Sequence, residues 1–165
     1  MKILILGSEG FVGNNLVDGL SKNHEIYCAD MVSESNHKNY SQFNVIDSES
    51  VMKTVQNVDV VIDLVAHSLV SSIEGPTKNA EVNIIGLLNI LEACRINNIK
   101  KLIFTSASSL VGEPKTFHVN ENHVPLPKTA YGITKLTSEH YLRLYSELYG
   151  LDYVIFRFFN IYGPH

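Results

Sequence analysis

Short apolar runs alternate with longer segments of helical period along the whole chain. The runs are rich in Val, Ile, Leu and Phe and mostly lack strict alternation, which is typical of parallel strands covered on both faces. They predict six strands, at Lys2–Leu6, Glu25–Ala29, Gln42–Val45, Val58–Leu64, Lys101–Thr105 and Asp152–Arg157. The segments between them place apolar residues at helical spacing. They predict four helices, at Phe11–Leu20, Ser48–Val55, Thr77–Asn97 and Ala130–Tyr149.

This alternation predicts one α/β domain over residues 1–165, with a doubly wound parallel sheet of six strands in the order 3-2-1-4-5-6. In such a sheet a crevice opens at the carboxyl ends of the first and fourth strands, and a ligand site is expected there. Only Gly112–Lys128 breaks the pattern, because it is polar and contains three prolines. We expect it to be a loop beside the active site.

Composition limits the binding partners and the cellular compartment that we expect for the protein. Lys and Arg number 13 and Asp and Glu 17, and 45% of the residues are hydrophobic, which is typical of a soluble globular domain. Without a basic cluster, we expect no nucleic acid or membrane partner. Cys28 and Cys94 lie in apolar segments and are expected to be reduced thiols. The first apolar run is too short for a signal peptide, so we expect a cytoplasmic protein.

Three glycines follow the first predicted strand and open the first helix. Gly7, Gly10 and Gly13 lie where a tight turn exposes backbone N–H groups to an anion, so the pattern predicts a dinucleotide diphosphate site. Asp30 follows 20 residues after Gly10, at the end of the second strand, where a carboxylate can bind ribose hydroxyls. A carboxylate repels a 2′-phosphate, which favours NAD over NADP. Alternatively, the glycines only shape the turn and Asp30 is a solvated strand end.

Tyr131 and Lys135 are four residues apart on a predicted helix, so both side chains leave the same face. A free phenol is a poor base at neutral pH, but a nearby ammonium and the positive nicotinamide ring would lower its pKa. The pair therefore predicts a tyrosine general base assisted by Lys135. Alternatively, the spacing arises by chance on a solvent-facing helix.

Several motifs occur together in one order along the chain. They are Gly7-x-x-Gly10-x-x-Gly13, Asp30, Asn83-x-x-Gly86, Lys101–Ser106, Pro127-x-x-x-Tyr131-Gly132-x-Thr134-Lys135 and Arg157-Phe158-Phe159-Asn160-x-Tyr162-Gly163-Pro164. This set resembles the extended short-chain dehydrogenase/reductases, specifically the NAD-dependent epimerase/dehydratases of nucleotide sugars. The resemblance implies a Rossmann fold, NAD as cofactor and a nucleotide-sugar substrate. It also implies the possibility of a homodimer through the two long helices, Thr77–Asn97 and Ala130–Tyr149.

The resemblance implies further site residues. Phe11 and Val12 would lie by the diphosphate, Asn44 and Val45 by the adenine, Val65, Ala66, Asn83 and Phe159 along the nicotinamide half, and Asn160 by the sugar nucleotide. For Val65, Ala66 and Phe159 the alternative is simple core packing.

The sequence also departs from the family pattern. Ala107 stands where the family usually has the Ser or Thr that contacts the reacting hydroxyl, so Ser106 or Ser108 would have to replace it, and we select Ser108. Alternatively, both hydroxyls only satisfy loop backbone groups. Asp63, Val65, Ser68 and Leu87 differ from the commoner His, Ala, Lys and Thr, which indicates a divergent member.

The leading functional hypothesis is a nucleotide-sugar epimerase that acts at C4 of a UDP-sugar. A 4,6-dehydratase is disfavoured, because Ala107 is followed by two serines instead of the Asp-Glu typical of that branch. The alternatives are a nucleotide-sugar reductase or dehydrogenase and a non-catalytic NAD-binding module.

Family members continue into a substrate-binding region, so we expect these residues to be a fragment of a longer enzyme or a naturally short protein. His118 and His123 lack ligand-spaced partners, and no metal site is expected.

Overall fold

The computed structural model describes residues 1–114, 116 and 118–164 of the chain. Its six strands form one parallel sheet in the order β3-β2-β1-β4-β5-β6, which confirms the predicted doubly wound arrangement. The strands are β1 (Lys2–Leu6), β2 (Glu25–Asp30), β3 (Tyr40–Gln42), β4 (Val60–Asp63), β5 (Lys101–Ala107) and β6 (Tyr153–Phe158).

Within the described residues, six α-helices connect the strands. They are α1 (Phe11–Leu20), α2 (Ser48–Thr54), α3 (Leu69–Glu74), α4 (Pro76–Ala80), α5 (Gly86–Ile96) and α6 (Ala130–Tyr149). Side chains cap three of them, because Asp47, Ser68 and Thr129 each accept a backbone N–H of the first turn of α2, α3 and α6. A left-handed Gly150 ends α6, with φ of 70°.

The structure corrects two predicted elements and adds two that were not predicted. The third strand was expected at Gln42–Val45 but lies at Tyr40–Gln42; Phe43 and Val45 are buried in the core beyond the strand end. The predicted helix Thr77–Asn97 is α4 and α5 joined by a π-helical turn at Glu81–Ile85. The pattern missed α3, whose six residues are too few to show a helical period, and a 3₁₀ turn at Ser108–Leu110.

Apolar side chains cover both faces of the sheet, as a parallel sheet requires. On one face Leu4, Leu6 and Val61 pack with α2, α5 and α6 in the larger core cluster. On the other face Ile3, Ile5 and Ile62 pack against α1. The two cores fix the carboxyl ends of β1, β4 and β5 side by side, where the predicted site lies.

Left-handed turns precede three of the strands. Asn39, Asn57 and Asn98 have φ between 53° and 57° and lie one to three residues before β3, β4 and β5, at the amino end of the sheet. Asn tolerates this conformation better than most residues because its short side chain bonds locally. At the opposite end, the predicted loop Gly112–Lys128 contains no helix or strand among its described residues; positions 115 and 117 lie outside them.

Candidate cofactor and catalytic site

The glycine turn joins β1 to α1, and two of its glycines are required by the fold itself. Gly7 has φ of 84°, a left-handed conformation that side chains disfavour. A Cβ atom on Gly13 would lie 2.3 Å from the Gly7 carbonyl oxygen, so only glycine lets α1 approach the turn this closely. These two positions are explained without any ligand.

Gly10 differs, because its own surroundings leave room for a side chain. A Cβ atom there would meet only the Gly7 carbonyl oxygen, at 3.4 Å, and the φ of −76° suits any residue. No side chain caps α1, whose first-turn N–H groups have no acceptor within the helix. The space over Gly10 and these N–H groups therefore fit a dinucleotide diphosphate, which needs close backbone approach and donors.

Asp30 ends β2 next to this turn. Its Oδ2 accepts the Glu9 backbone N–H at 3.0 Å, and its Oδ1 accepts that of Met31 at 2.7 Å. These bonds hold the carboxylate at the rim of a cleft of about 720 Å³. The same cleft is lined by predicted site residues Gly7, Gly10, Asn44, Val45, Val65 and Ala66.

A second cleft, of about 460 Å³, adjoins the first and shares Gly7, Gly10, Leu64 and Ala66 with it. The remaining lining includes predicted residues Phe11, Val12, Gly13, Ser108, Tyr131, Lys135, Phe159 and Asn160. The two clefts thus bring fifteen of the sixteen predicted site residues to the carboxyl ends of β1, β4 and β5, where the crevice was expected.

Tyr131 and Lys135 lie together on the first turns of α6. The Lys135 ammonium lies 5.6 Å from the centre of the Tyr131 ring and donates to the Thr105 carbonyl oxygen at 2.7 Å. Burial lowers the pKa of Lys135 to about 8, although the Asp63 carboxylate opposes the shift. Burial raises the pKa of Tyr131, which is opposite to the lowering expected from the lysine. In this structure the ammonium bonds to Thr105 and not to the phenol.

A serine-rich turn lines the same cleft as Tyr131. Ser106, Ala107, Ser108 and Ser109 all line the second cleft. Within the described part of the chain, the buried hydroxyl oxygen of Ser109 has no hydrogen-bond partner. Gly132 brings α6 against this turn, since a Cβ there would lie 2.5 Å from the Ser109 carbonyl oxygen. Ser106 and Ser108 were predicted as candidates from the sequence but Ser109 was not, although Ser109 directly follows Ser108.

Asn83 is the predicted site residue that lines neither cleft. Its Oδ1 accepts the His67 backbone N–H at 2.7 Å, and its Nδ2 donates to the His67 carbonyl and to Thr134 Oγ1, each at 3.1 Å. Asn79 also donates to the His67 carbonyl, at 2.8 Å, and accepts from Thr134 Oγ1. We call Asn79, Asn83 and Thr134 the amide clasp. It fixes the loop after β4 to α6, between Tyr131 and Lys135.

The described residues contain no group of three His, Cys, Asp or Glu side chains that could hold a metal ion. Among them, too, no helix combines the length and hydrophobicity needed to cross a membrane.

Comparison with known proteins decides the family. The model of the NAD dependent epimerase/dehydratase family matches residues 3–165. The chain belongs to this family. Proteins of this family depend on NAD, which is the cofactor predicted from the glycine turn and Asp30.

Individual relatives agree with this assignment. The chain is 35% identical over 171 residues to the putative UDP-glucose 4-epimerase of Methanocaldococcus jannaschii, covering 98% of this chain and 56% of that protein. The UDP-glucose 4-epimerase of Thermus thermophilus, solved in complex with NAD, superimposes with a TM-score of 0.91 at 34% identity, over 99% of this chain and 57% of that one.

The Thermotoga maritima UDP-glucose 4-epimerase, solved with UDP-glucose, also superimposes with a TM-score of 0.91, at 32% identity, over 99% of this chain and 57% of that structure. The chain thus spans little more than half the length of the relatives that it matches.

Proposed function

We propose that these residues form the NAD-binding part of a nucleotide-sugar epimerase, acting at C4 of a UDP-sugar. The observation that carries the proposal is that the glycine turn and the pair Tyr131 and Lys135 open onto two adjoining clefts. One elongated ligand can therefore reach from Asp30 to Tyr131. The epimerases of similar sequence and structure support the choice of reaction.

In this proposal the first cleft holds the adenosine half of NAD and the second holds the nicotinamide half. The first-turn N–H groups of Phe11, Val12 and Gly13 bind the diphosphate, and Asp30 accepts the ribose hydroxyls. The chemistry that bound NAD would supply is reversible acceptance of hydride from the sugar carbon, with return to the opposite face of that carbon and no net oxidation.

Tyr131 would accept the proton of the reacting hydroxyl. Its raised pKa in this structure means that the phenol needs positive charge nearby to ionise, and the Lys135 ammonium is placed to supply part of it. Ser108 faces the same cleft and would hold the sugar hydroxyl in the role that Ala107 cannot fill. Asn160, which lines the same cleft, would contact the sugar nucleotide.

Calorimetric titration with NAD directly tests the cofactor part of the proposal, because NAD binding needs only these residues.

A chimera in which residues 1–165 replace the matching half of a relative tests the reaction. We expect it to interconvert UDP-glucose and UDP-galactose, and Tyr131→Phe to lower the rate at least about 100-fold, as for a lost general base. Net NADH formation would favour a dehydrogenase. NAD binding without any turnover by the chimera would favour a binding module.

Residues 1–165 alone, outside the chimera, should bind NAD but should convert UDP-sugars at a negligible rate. Orientation of bound reactants supplies about 7–11 kcal/mol of barrier lowering. The resemblance implies a substrate-binding region beyond these residues, and the chain spans little more than half the length of the relatives that it matches. Rapid epimerisation by residues 1–165 alone would contradict this.

We also propose a homodimer through α5 and α6, and a cytoplasmic location. Exposed apolar side chains on these helices support the dimer: Ile96 on α5, and Ile133, Leu144 and Leu148 on α6. Two buried free thiols, Cys28 and Cys94, support a reducing compartment.

A further inference from the structure

Asp63 is a buried acid to which the proposed chemistry gives no role. It ends β4, and its neighbours across the sheet are Leu6 on β1 and Phe104 on β5, both fully buried. Only 2% of Asp63 is exposed. Its Oδ1 accepts the Val65 backbone N–H at 3.0 Å. An ionised carboxylate in apolar surroundings is unfavourable unless a positive charge compensates it.

Lys135 is the positive charge that shares this environment. It is likewise only 2% exposed, and its ammonium lies 4.7 Å from the centre of the Phe104 ring. The ammonium donates to the Thr105 carbonyl, and the Thr105 hydroxyl donates to the Asp63 carbonyl oxygen at 3.0 Å. The Asp63 backbone on β4 and the Lys135 ammonium on α6 therefore share Thr105 of β5 as a hydrogen-bond partner. Among the described residues, the two side chains form no direct ion pair with each other.

The two charges stabilise each other through the low-dielectric interior. Burial raises the pKa of Asp63 to about 6, and the Lys135 ammonium opposes that rise. Burial lowers the pKa of Lys135 to about 8, and the Asp63 carboxylate opposes that fall. Cys94 on α5 also lies near Asp63, and its thiol stays neutral because burial raises its pKa. Near pH 7, between these two values, the Asp63 carboxylate and the Lys135 ammonium are therefore the predominant forms.

We propose that Asp63 is a positioning residue, whose buried carboxylate is the counter-charge that keeps Lys135 protonated beneath Tyr131. The coupling between the two charges stands on the fold alone. Its consequence for the phenol rests on the proposed function, since Lys135 must be charged to favour ionisation of Tyr131 as a base.

Asp63→Asn isolates the charge, because the amide oxygen can still accept the Val65 N–H. NMR titration of the lysine side-chain ¹³Cε signals measures the result, with the Lys135 signal identified by its loss in Lys135→Met. We expect the pKa of Lys135 to fall by at least about one unit, a tenfold loss of ammonium relative to amine. Asp59→Asn is the matched control at the start of the β4 region, where Asp59 pairs with Lys100. It should leave the pKa of Lys135 unchanged.

The reverse measurement does not depend on the Asp63 variant. Coupling between two sites is reciprocal, so Lys135→Met should raise the pKa of Asp63 by a similar amount, read from its ¹³Cγ signal. An unchanged pKa of Lys135 in folded Asp63→Asn, or of Asp63 in folded Lys135→Met, would overturn the proposal. NAD titration of the wild type separates the two hypotheses, because failure to bind NAD rejects the proposed function and leaves the charge coupling intact.

Discussion

Gly10 and Gly13 lie three residues apart, but different neighbours require them to be glycine. Gly10→Val should leave the fold intact, because its Cβ meets only one atom, at 3.4 Å. The same side chain would fill the space proposed for the diphosphate, so we expect NAD affinity to fall at least about 100-fold, or about 2.7 kcal/mol. Circular dichroism and calorimetric titration of the same sample measure both quantities.

Two other glycines of the region are matched controls. Gly13→Ala should impair folding, since its Cβ would lie 2.3 Å from a carbonyl oxygen. Gly19→Ala meets nothing within 4 Å and lies inside α1, so it should raise the free energy of unfolding by about 0.5–1 kcal/mol without changing NAD affinity. Undiminished NAD affinity in folded Gly10→Val would mean that no ligand approaches this turn.

Asp30 should set the preference for NAD over NADP. Asp30→Asn removes the charge that repels a 2′-phosphate, while its amide oxygen can still accept one of the two backbone N–H groups held by the carboxylate. We expect the ratio of NAD to NADP affinities to fall about tenfold, or about 1.4 kcal/mol. Competitive titration with both dinucleotides measures this ratio. Equal affinities in the wild type would contradict the assignment.

Thr134 joins two elements through the amide clasp. In Thr134→Val, buried Asn79 and Asn83 each lose a hydrogen-bond partner, and unpaired buried polar groups cost about 1–3 kcal/mol. We expect a loss of that size in the free energy of unfolding, measured with urea. In the control Thr137→Val, an exposed hydroxyl that bonds only to the Ile133 carbonyl is removed, and the change should stay within about 0.5 kcal/mol. Equal losses in the free energy of unfolding for the two variants would show that the amide clasp does not stabilise the fold.

Arg157 on β6 forms a bidentate ion pair with Glu139 on α6. Its Nε and Nη2 donate to the Glu139 carboxylate at 2.9 and 2.7 Å, and Glu139 is only 1% exposed. Arg157→Ala would leave that carboxylate without its main partner and should cost about 3 kcal/mol at pH 7. Arg143→Ala, which removes a half-exposed arginine 3.6 Å from the same carboxylate, should cost less than about 1 kcal/mol.

The loss in Arg157→Ala should depend on pH. Burial tends to raise the pKa of Glu139, but hydrogen bonds from Arg157 outweigh it and hold the pKa below its ordinary value. The pair therefore stabilises the fold above the unfolded pKa of about 4.3, and this contribution is lost as pH falls. Urea unfolding of both proteins should show a difference that is largest at pH 7 and shrinks below about pH 4. A constant difference would contradict the ion-pair explanation.

The sequence was most informative where a residue type is dictated by its immediate neighbours. The glycine turn, the end of β2 and the bounds of α1 and α6 follow from local backbone geometry and periodicity, and they could be predicted. The role of Asn83 could not, because its partners His67 and Thr134 are distant in sequence and the π-helical turn sets its register. Asp63 was noticed only as a departure from a pattern; its coupling to Lys135 depends on strand neighbours.

The proposed dimer predicts how the whole molecule behaves in solution. Leu148 on α6 is 61% exposed. Leu148→Glu should place a charge in the proposed interface and shift the protein from dimer to monomer, as measured by sedimentation equilibrium. Val124 is 69% exposed but lies outside both helices, so Val124→Glu should leave the association unchanged. A wild-type chain that stays monomeric at high concentration would reject this interface.

The left-handed asparagines before β3, β4 and β5 lie at the end of the sheet away from both clefts. A seven-residue strand such as β5 spans roughly 20 Å, so a group attached at exposed Asn98 stays about that far from Tyr131 and the serine turn. A fluorescent dye or a solid support attached at this end of the molecule would therefore leave the proposed dinucleotide site accessible.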